Sequence, residues 1–237
     1  MVKSSPSVKL ALLAASSVGA AGAALMAFRR PIEAGLFART AFWVLWVLVV
    51  MGAWAVTVAV VERLREGDGR RWRRDAALSL GLCLALSAVV FLAVPSQFRV
   101  LADETNLLSK SLAMYRKGEF FNWVEGYFLM DDFFPVLQAV PHRPGLFPFL
   151  TYLVHAISGY SVKAPFVVNF FVLTAFLWVI RGLAAHLSGR RAGYVALGLT
   201  LGFPLVAIYA TSAGYDLLAA LGLASVTAAL LWVLEKP

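Results

Sequence analysis

Residues 63–95 read RLREGDGRRWRRDAALSLGLCLALSAVVFLAVP, and this stretch decides the class of fold. Its first part holds six arginines in a short segment, whereas its second part, residues 76–95, carries no charge. An uncharged run of about 20 residues is long enough to cross the hydrocarbon core of a bilayer. The stretch therefore predicts a membrane-spanning helix that follows a basic loop.

Similar apolar runs recur along the chain. They lie at about 8–28, 40–61, 163–180, 192–210 and 217–234, and a shorter, ambiguous run lies at 145–160. Of the 237 residues, 61% are apolar and 14% are charged, which is outside the usual range of soluble domains. We therefore expect an all-α, polytopic transmembrane helix bundle with about six or seven membrane segments.

The charges predict how the bundle is oriented. The net charge of +8 is spread among loops at membrane boundaries, so it indicates membrane topology and not nucleic-acid binding. We expect a protein of the cell (plasma) membrane, and the positive-inside rule places its arginine-rich loop on the cytoplasmic side. The amino terminus is then cytoplasmic as well, with an uncleaved first helix. We expect a three-helix membrane region at 1–95, an extracytoplasmic loop at 96–144 and further membrane helices at 145–237.

The long loop holds most of the residues that suggest chemistry. Apolar residues recur at helical spacing between Asp103 and Lys117, which predicts an amphipathic helix on the membrane surface. Aromatic residues then crowd positions 120–134, interrupted by Glu125, Asp131 and Asp132. Such a stretch suits the headgroup layer, where aromatic rings anchor. We therefore expect the whole loop, with its surface helices, to lie against the bilayer.

Three motifs in this region carry a family resemblance. They are FRVLADE at 98–104, PHRPGLFPFL at 141–150 and the tripeptide Gly159-Tyr160-Ser161. In order and spacing they resemble the C-type integral membrane glycosyltransferases, most closely the branch of protein mannosyltransferases and lipid A aminoarabinose transferases. The resemblance covers roughly residues 98–234. One departure is Gly145, where that family usually has a second proline.

The resemblance implies transfer of a sugar, with inversion, from a polyprenyl-phosphate or dolichyl-phosphate donor to an extracytoplasmic glycan, lipid or protein. It makes Asp103 the candidate general base and Glu104 its neighbour, which would orient the acceptor or help Asp103 to bind a divalent cation, Mg²⁺ or Mn²⁺. The remaining candidates, for binding the donor or its phosphate, are His142, Arg143, Arg116, Lys117 and Asp216.

Simpler interpretations of the same residues stay open. Asp103 is also suited to cap the surface helix, and Asp216 to cap the last helix at the interface. His142 and Arg143 would then only reach lipid headgroups, and Asp131 with Asp132 would form a solvated turn.

The run at 145–160 leaves two topologies open. If it crosses the membrane, Asp216 is cytoplasmic and Arg190 lies outside, against the positive-inside rule. If it dips in without crossing, Arg190 is cytoplasmic and Asp216 joins Asp103 outside. We favour the second arrangement, because the charge rule is strongest for short loops.

Two other classes of function also remain open. Relatives in the resembled family usually continue with more spans beyond the point matching Pro237, so a shortened, non-catalytic membrane scaffold is one alternative. A transporter or flippase is the other, because Pro144 and Pro148 break the run at 145–160 and Asp216 lies near membrane depth.

Overall fold

The computed structural model describes residues 40, 42–47, 69–129, 132–139 and 144–234. The predicted span at 8–28 and most of that at 40–61 lie outside these ranges. Within them the chain is mostly helical, as expected. The elements are α1 (Gly69–Ala93), α2 (Leu101–Lys117), β1 (Asn122–Leu129), β2 (Asp132–Ala139), α3 (Leu146–Ser158), α4 (Ala164–Ser188), α5 (Arg190–Leu201), α6 (Pro204–Ala210) and α7 (Asp216–Leu234).

Two helices are long and apolar enough to cross a membrane. They are the Arg74–Ala93 part of α1, with 20 residues, and α4, with 25 residues. At about 1.5 Å per residue, both reach the roughly 30 Å thickness of a bilayer core. The described part of the chain therefore holds two candidate spans, or three if α5 and α6 together count as one.

Helices α1 and α4 pack antiparallel. The Thr174 hydroxyl donates to the Ser87 hydroxyl over 3.0 Å, and one turn further the Trp178 indole N–H donates to Ser79 Oγ over 3.0 Å. Cys83 is fully buried in the same core, as expected for a packing residue. These contacts place the arginine-rich start of α1 beside the end of α4.

The run at 192–210 is not one straight helix. Helices α5 and α6 meet at an angle of 73°. Phe203 is extended, and Pro204 opens α6. Proline lacks the N–H that a continuing helix needs and disfavours a helical residue before it. The backbone therefore breaks here, which a hydropathy window does not detect.

The aromatic stretch forms a β-hairpin, which the sequence analysis did not predict. Strand β1 pairs antiparallel with β2, from Asn122 opposite Ala139 to Leu129 opposite Asp132. Aromatic residues favour strands because they pack well on a pleated surface. Of the predicted surface elements, α2 is a helix as expected, whereas the second is this small sheet. Asp132 opens β2, and Asp131, with which it was predicted to form a solvated turn, lies outside the described residues.

Helix α3 brings the chain back to the start of α4. It has 13 residues, about 20 Å, which is short for a span. Its His155 contacts Ser111 of α2. Farther along the chain, the Arg190 guanidinium pairs with the Asp75 carboxylate over 3.3 Å. The carboxylates of Asp216 and Glu104 both lie close to Gly214. These contacts agree with the second predicted arrangement, in which Arg190 lies at the end of the bundle that holds the arginine-rich loop and Asp216 lies at the end that holds Asp103.

Candidate functional site

The start of α2 presents the predicted acidic pair. Val100 occupies the N-cap position, and no side chain caps the helix. The interpretation of Asp103 as the cap is therefore wrong, because that residue already lies within the first turn. The acids are favourable there, near the positive end of the helix dipole. Asp103 is half-buried, whereas Glu104 is only 3% exposed.

Glu104 holds the chain that enters the helix. Its Oε2 accepts a hydrogen bond of 2.6 Å from the backbone N–H of Arg99. Its other carboxylate oxygen, Oε1, lies 3.9 Å from the point that a Cβ on Gly214 would occupy. Oδ2 of Asp216 lies 3.1 Å from the same point. Two of the predicted candidates, 112 positions apart in the sequence, thus meet beside one glycine.

The loop at 211–215, which leads into Asp216, is joined to the segment before α2. The backbone N–H of Gln97 donates to the carbonyl of Thr211 over 3.1 Å. The Arg99 guanidinium donates to the Thr211 hydroxyl over 3.0 Å. Thr211 is fully buried. These bonds fix the two segments side by side.

Asn169, which sequence reasoning treated as a helix-packing residue, binds backbone carbonyl groups of this loop. Its side chain is fully buried on α4. Its Nδ2 donates to the carbonyls of Ser212 and Gly214 over 2.7 and 3.0 Å, with a longer contact of 3.5 Å to that of Tyr209. An amide inside an apolar span is costly unless it has such partners. That cost is the signal by which the sequence alone distinguishes Asn169.

Arg99 is a second residue that the sequence analysis did not single out. It belongs to the FRVLADE motif and is half-buried. Its Nε is buried, and within the described residues it has no hydrogen-bond acceptor. Glu104 binds the backbone N–H of Arg99, and Thr211 accepts from its guanidinium, so Arg99 is a cation near the acidic pair that sequence reasoning did not consider.

Two of the predicted cations, Arg116 and Lys117, lie away from the acids. Arg116 and Lys117 occupy the last turn of α2, about 18 Å along the helix from Glu104. The Lys117 ammonium lies 5.6 Å from the centroid of the Trp123 ring. His142 and Arg143 lie outside the described residues.

His155, on α3, is part of the frame of the site. It is fully buried, and its Nδ1 accepts the backbone N–H of Ser161 over 3.3 Å. The proton of the neutral ring then lies on Nε2, 3.2 Å from the Ser111 hydroxyl. Burial lowers the pKa of His155. The ring is therefore neutral near pH 7 and links α3 to α2.

A shallow pocket of about 160 Å³ lies beside the acids on another face of α2. The Ser109 hydroxyl, which donates to the Trp123 carbonyl and accepts its N–H, fixes the strand that forms one wall. The lining is aromatic and hydroxylic: Thr105, Leu108, Ser109, Leu112, Trp123 and Tyr160.

The prediction that Asp103 and Glu104 together bind a cation stays a prediction. Consecutive helical residues point about 100° apart, and one oxygen of Glu104 already holds Arg99. Oxygens of Glu104 and Asp216 both lie within 4 Å of the position that a Cβ on Gly214 would occupy, so Asp216 adds a second carboxylate, a hard oxygen donor, near Glu104. Among the residues described, no three His, Cys, Asp or Glu side chains converge as a metal site.

Comparison with known proteins adds no identity to this geometry. No model of a protein family, no curated protein and no solved structure matches the chain.

Proposed function

We propose that the chain is a multi-pass membrane glycosyltransferase with about six or seven membrane segments. It would move a sugar from a polyprenyl-phosphate donor to an acceptor on the extracytoplasmic side. The observation that carries the proposal is the meeting of Glu104 and Asp216 near Arg99, at the start of the amphipathic helix α2. Acids and a guanidinium at one membrane face suit a substrate whose phosphate lies in the headgroup layer.

The reaction asks for one proton acceptor and one cationic group. An acceptor hydroxyl attacks the anomeric carbon from the face opposite the phosphate, and the carbon–oxygen bond to the phosphate breaks with its electron pair. The proton of the attacking hydroxyl passes to a carboxylate. Asp103, half-buried in the first turn of α2, is the proposed base.

The neighbouring groups have separate roles in this proposal. Glu104 acts as a positioning residue, because it holds the Arg99 backbone and faces Asp216. Asp216 is exposed and accepts hydrogen bonds from the acceptor. Arg99, together with His142 and Arg143, neutralises the departing phosphate. A divalent cation held by Glu104 and Asp216 would add positive charge near the same phosphate.

The pocket on α2 supports a sugar substrate. Its Trp123 and Tyr160 rings can pack on the apolar face of a sugar, while hydroxyl groups lie at its edge. We expect Tyr160→Ala to raise KM for the sugar donor or acceptor with little change in kcat, because the ring contacts substrate but no reacting atom.

The test is turnover of labelled polyprenyl-phosphate sugars by the purified chain in liposomes. Asp103→Asn should abolish transfer while donor binding persists, and Arg99→Gln and Arg143→Ala should weaken binding. Glu119→Gln is the matched control, because it removes an acid of the same external segment at the far end of α2. If no form of the chain binds the donor, the transferase proposal is refuted and a scaffold is favoured.

One observation favours a second candidate, a transporter or flippase. The 73° break between α5 and α6 resembles the interrupted helices that line transport pathways. A flippase would move a fluorescent polyprenyl-phosphate lipid between leaflets without releasing sugar. Lipid movement that Asp103→Asn leaves intact, with no sugar release, would favour transport.

A further inference from the structure

The end of the bundle opposite Glu104 holds cations around an aromatic ring. Arg181 lies on α4, and Arg190 and Tyr194 lie on the first turns of α5. The central carbon of the Arg181 guanidinium lies 5.1 Å from the centroid of the Tyr194 ring. The guanidinium groups of Arg181 and Arg190 both approach the Tyr194 hydroxyl. We call these three residues the cation cluster.

Arg181 lies at an unusual depth for a charged residue. It precedes Ser188, the last residue of α4, by seven positions, or about 10 Å along the helix. A charge at that depth is costly unless an anion or water accepts its hydrogen bonds. Its Nε is buried, and in the part of the chain that the structure describes no acceptor contacts it.

The packing of α5 against α4 holds this arginine in place. A Cβ on Gly193 would lie 2.9 Å from the Arg181 carbonyl oxygen and 3.2 Å from its Cγ. Glycine is therefore required for this approach of the two helices. The stem of Arg181 lies against α5, so its guanidinium is positioned before any ligand arrives.

The charges around the cluster point to an anion. Arg74 and Arg191 are exposed at the same end. Among the residues that the structure describes, the carboxylate nearby is Asp75, which lies 3.3 Å from Arg190 and whose side chain is 47% exposed. Asp75 offsets the charge of one of the four guanidinium groups at this end, which belong to Arg74, Arg181, Arg190 and Arg191.

We propose that the cation cluster binds the phosphate of an anionic lipid headgroup. Arginine donates to phosphate oxygens through two parallel N–H groups, and basic pockets at helix ends are known to take acidic lipids. Leu187, which is 63% exposed on the last turn of α4, offers an apolar surface for the acyl chain. This site is independent of sugar transfer.

The test measures binding of short-chain phosphatidylglycerol to the purified full chain in a zwitterionic detergent, with phosphatidylcholine as reference lipid. Arg181→Gln should weaken binding about tenfold, because a charge-assisted pair of hydrogen bonds is lost. Asp75→Asn should strengthen binding several-fold, because it frees Arg190. Soluble glycerol phosphate should compete poorly, and equal competition would overturn a lipid as the source of the phosphate.

Lys163→Gln is the matched control, since it removes one charge at the opposite end of the same helix. It should leave the affinity unchanged. A loss as large as that of Arg181→Gln would mean unspecific attraction and overturn the site, as would unchanged affinity in both Arg181→Gln and Asp75→Asn. If Arg181→Gln does not fold, Arg181→Lys keeps the charge without the planar fork and should still bind more weakly.

Discussion

Single residues of the site make contacts that the sequence does not reveal. The partners of Asn169 follow it by 40 to 45 positions, so the sequence shows a costly amide in an apolar run but not the groups that it binds. The acids are different. Glu104 and Asp216 stand out in the sequence because they border apolar runs, so their residue type was predictable. Their meeting beside Gly214 was not, because it depends on where two helices start.

We expect Asn169→Asp to destabilise the fold by about 1–3 kcal/mol, because three carbonyl contacts would lose their donor in a buried place. Turnover should fall as well, since the loop that carries Asp216 loses its anchor. Thermal unfolding in detergent measures the first effect.

Asn106→Asp is the control for that variant. The Oδ1 of Asn106 accepts from the Asn122 amide over 3.1 Å, and an aspartate keeps this acceptor. The stability of the Asn106→Asp variant should therefore differ little from that of the native chain. Equal losses in both variants would mean that charge alone, and not the lost donor, destabilises the chain.

Gly145→Ala should destabilise the chain by about 1–3 kcal/mol through overpacking. A Cβ there would lie 2.7 Å from Cζ of Phe120, whose ring is buried. This contact gives a physical reason for glycine where the resembled family has proline. Gly182→Ala, with nothing within 4 Å of its Cβ, is the control and should be neutral or stabilising. Phe120→Leu should restore part of the loss.

At the scale of elements, periodicity identified helices better than it identified bends or strands. The amphipathic pattern predicted α2 over 103–117, and the helix runs from Leu101 to Lys117. The hairpin was missed because acids interrupt its aromatic pattern, and the α5–α6 break was missed because hydropathy does not register proline geometry. How α3 attaches to α2 through His155 and Ser111 depends on tertiary contact, so the sequence left it open.

This attachment should make stability depend on pH. Burial lowers the pKa of His155 below its ordinary value of 6.5, so the unfolded chain binds the proton more readily. The stabilisation of the fold by neutral His155 is complete above pH 6.5. It is lost as the pH falls towards the pKa of His155 in the folded chain. The slope from one proton is at most about 1.4 kcal/mol per pH unit.

His155→Gln removes that titration. Melting temperatures of the native chain and the variant, measured between pH 7.5 and pH 5 (about the range of histidine titration), should converge at the acid end. Parallel curves would show that other groups cause the acid sensitivity.

For the whole molecule, hydropathy and charge predicted a membrane protein and two of its spans, at 76–95 and 163–180. The structure places them at Arg74–Ala93 and Ala164–Ser188. The sequence did not show which ends of the helices lie together. The contacts of Asp75 with Arg190 and of Gly214 with Glu104 show it. The side of the membrane that each end faces stays a prediction from the arginine-rich loop.

Cysteine labelling checks that orientation. In a Cys83→Ala background, Val162→Cys should react with an impermeant maleimide added outside intact cells, because residue 162 lies at the Glu104 end. Ser188→Cys, at the opposite end, should react only after permeabilisation. Both positions are exposed in the native chain. Labelling of both from one side would contradict the arrangement.

The backbone bond between Gln97 and Thr211 also bears on biogenesis. The two halves of the site are separated by more than a hundred residues, so a ribosome completes the first half long before the second emerges. Until the loop at 211–215 and α7 have been made, Glu104 lacks the loop that faces it, and the start of α2 is an unfinished surface exposed to proteases. Chains arrested before Asp216 should therefore be degraded as assembly intermediates, even though both candidate spans, α1 and α4, are already synthesised.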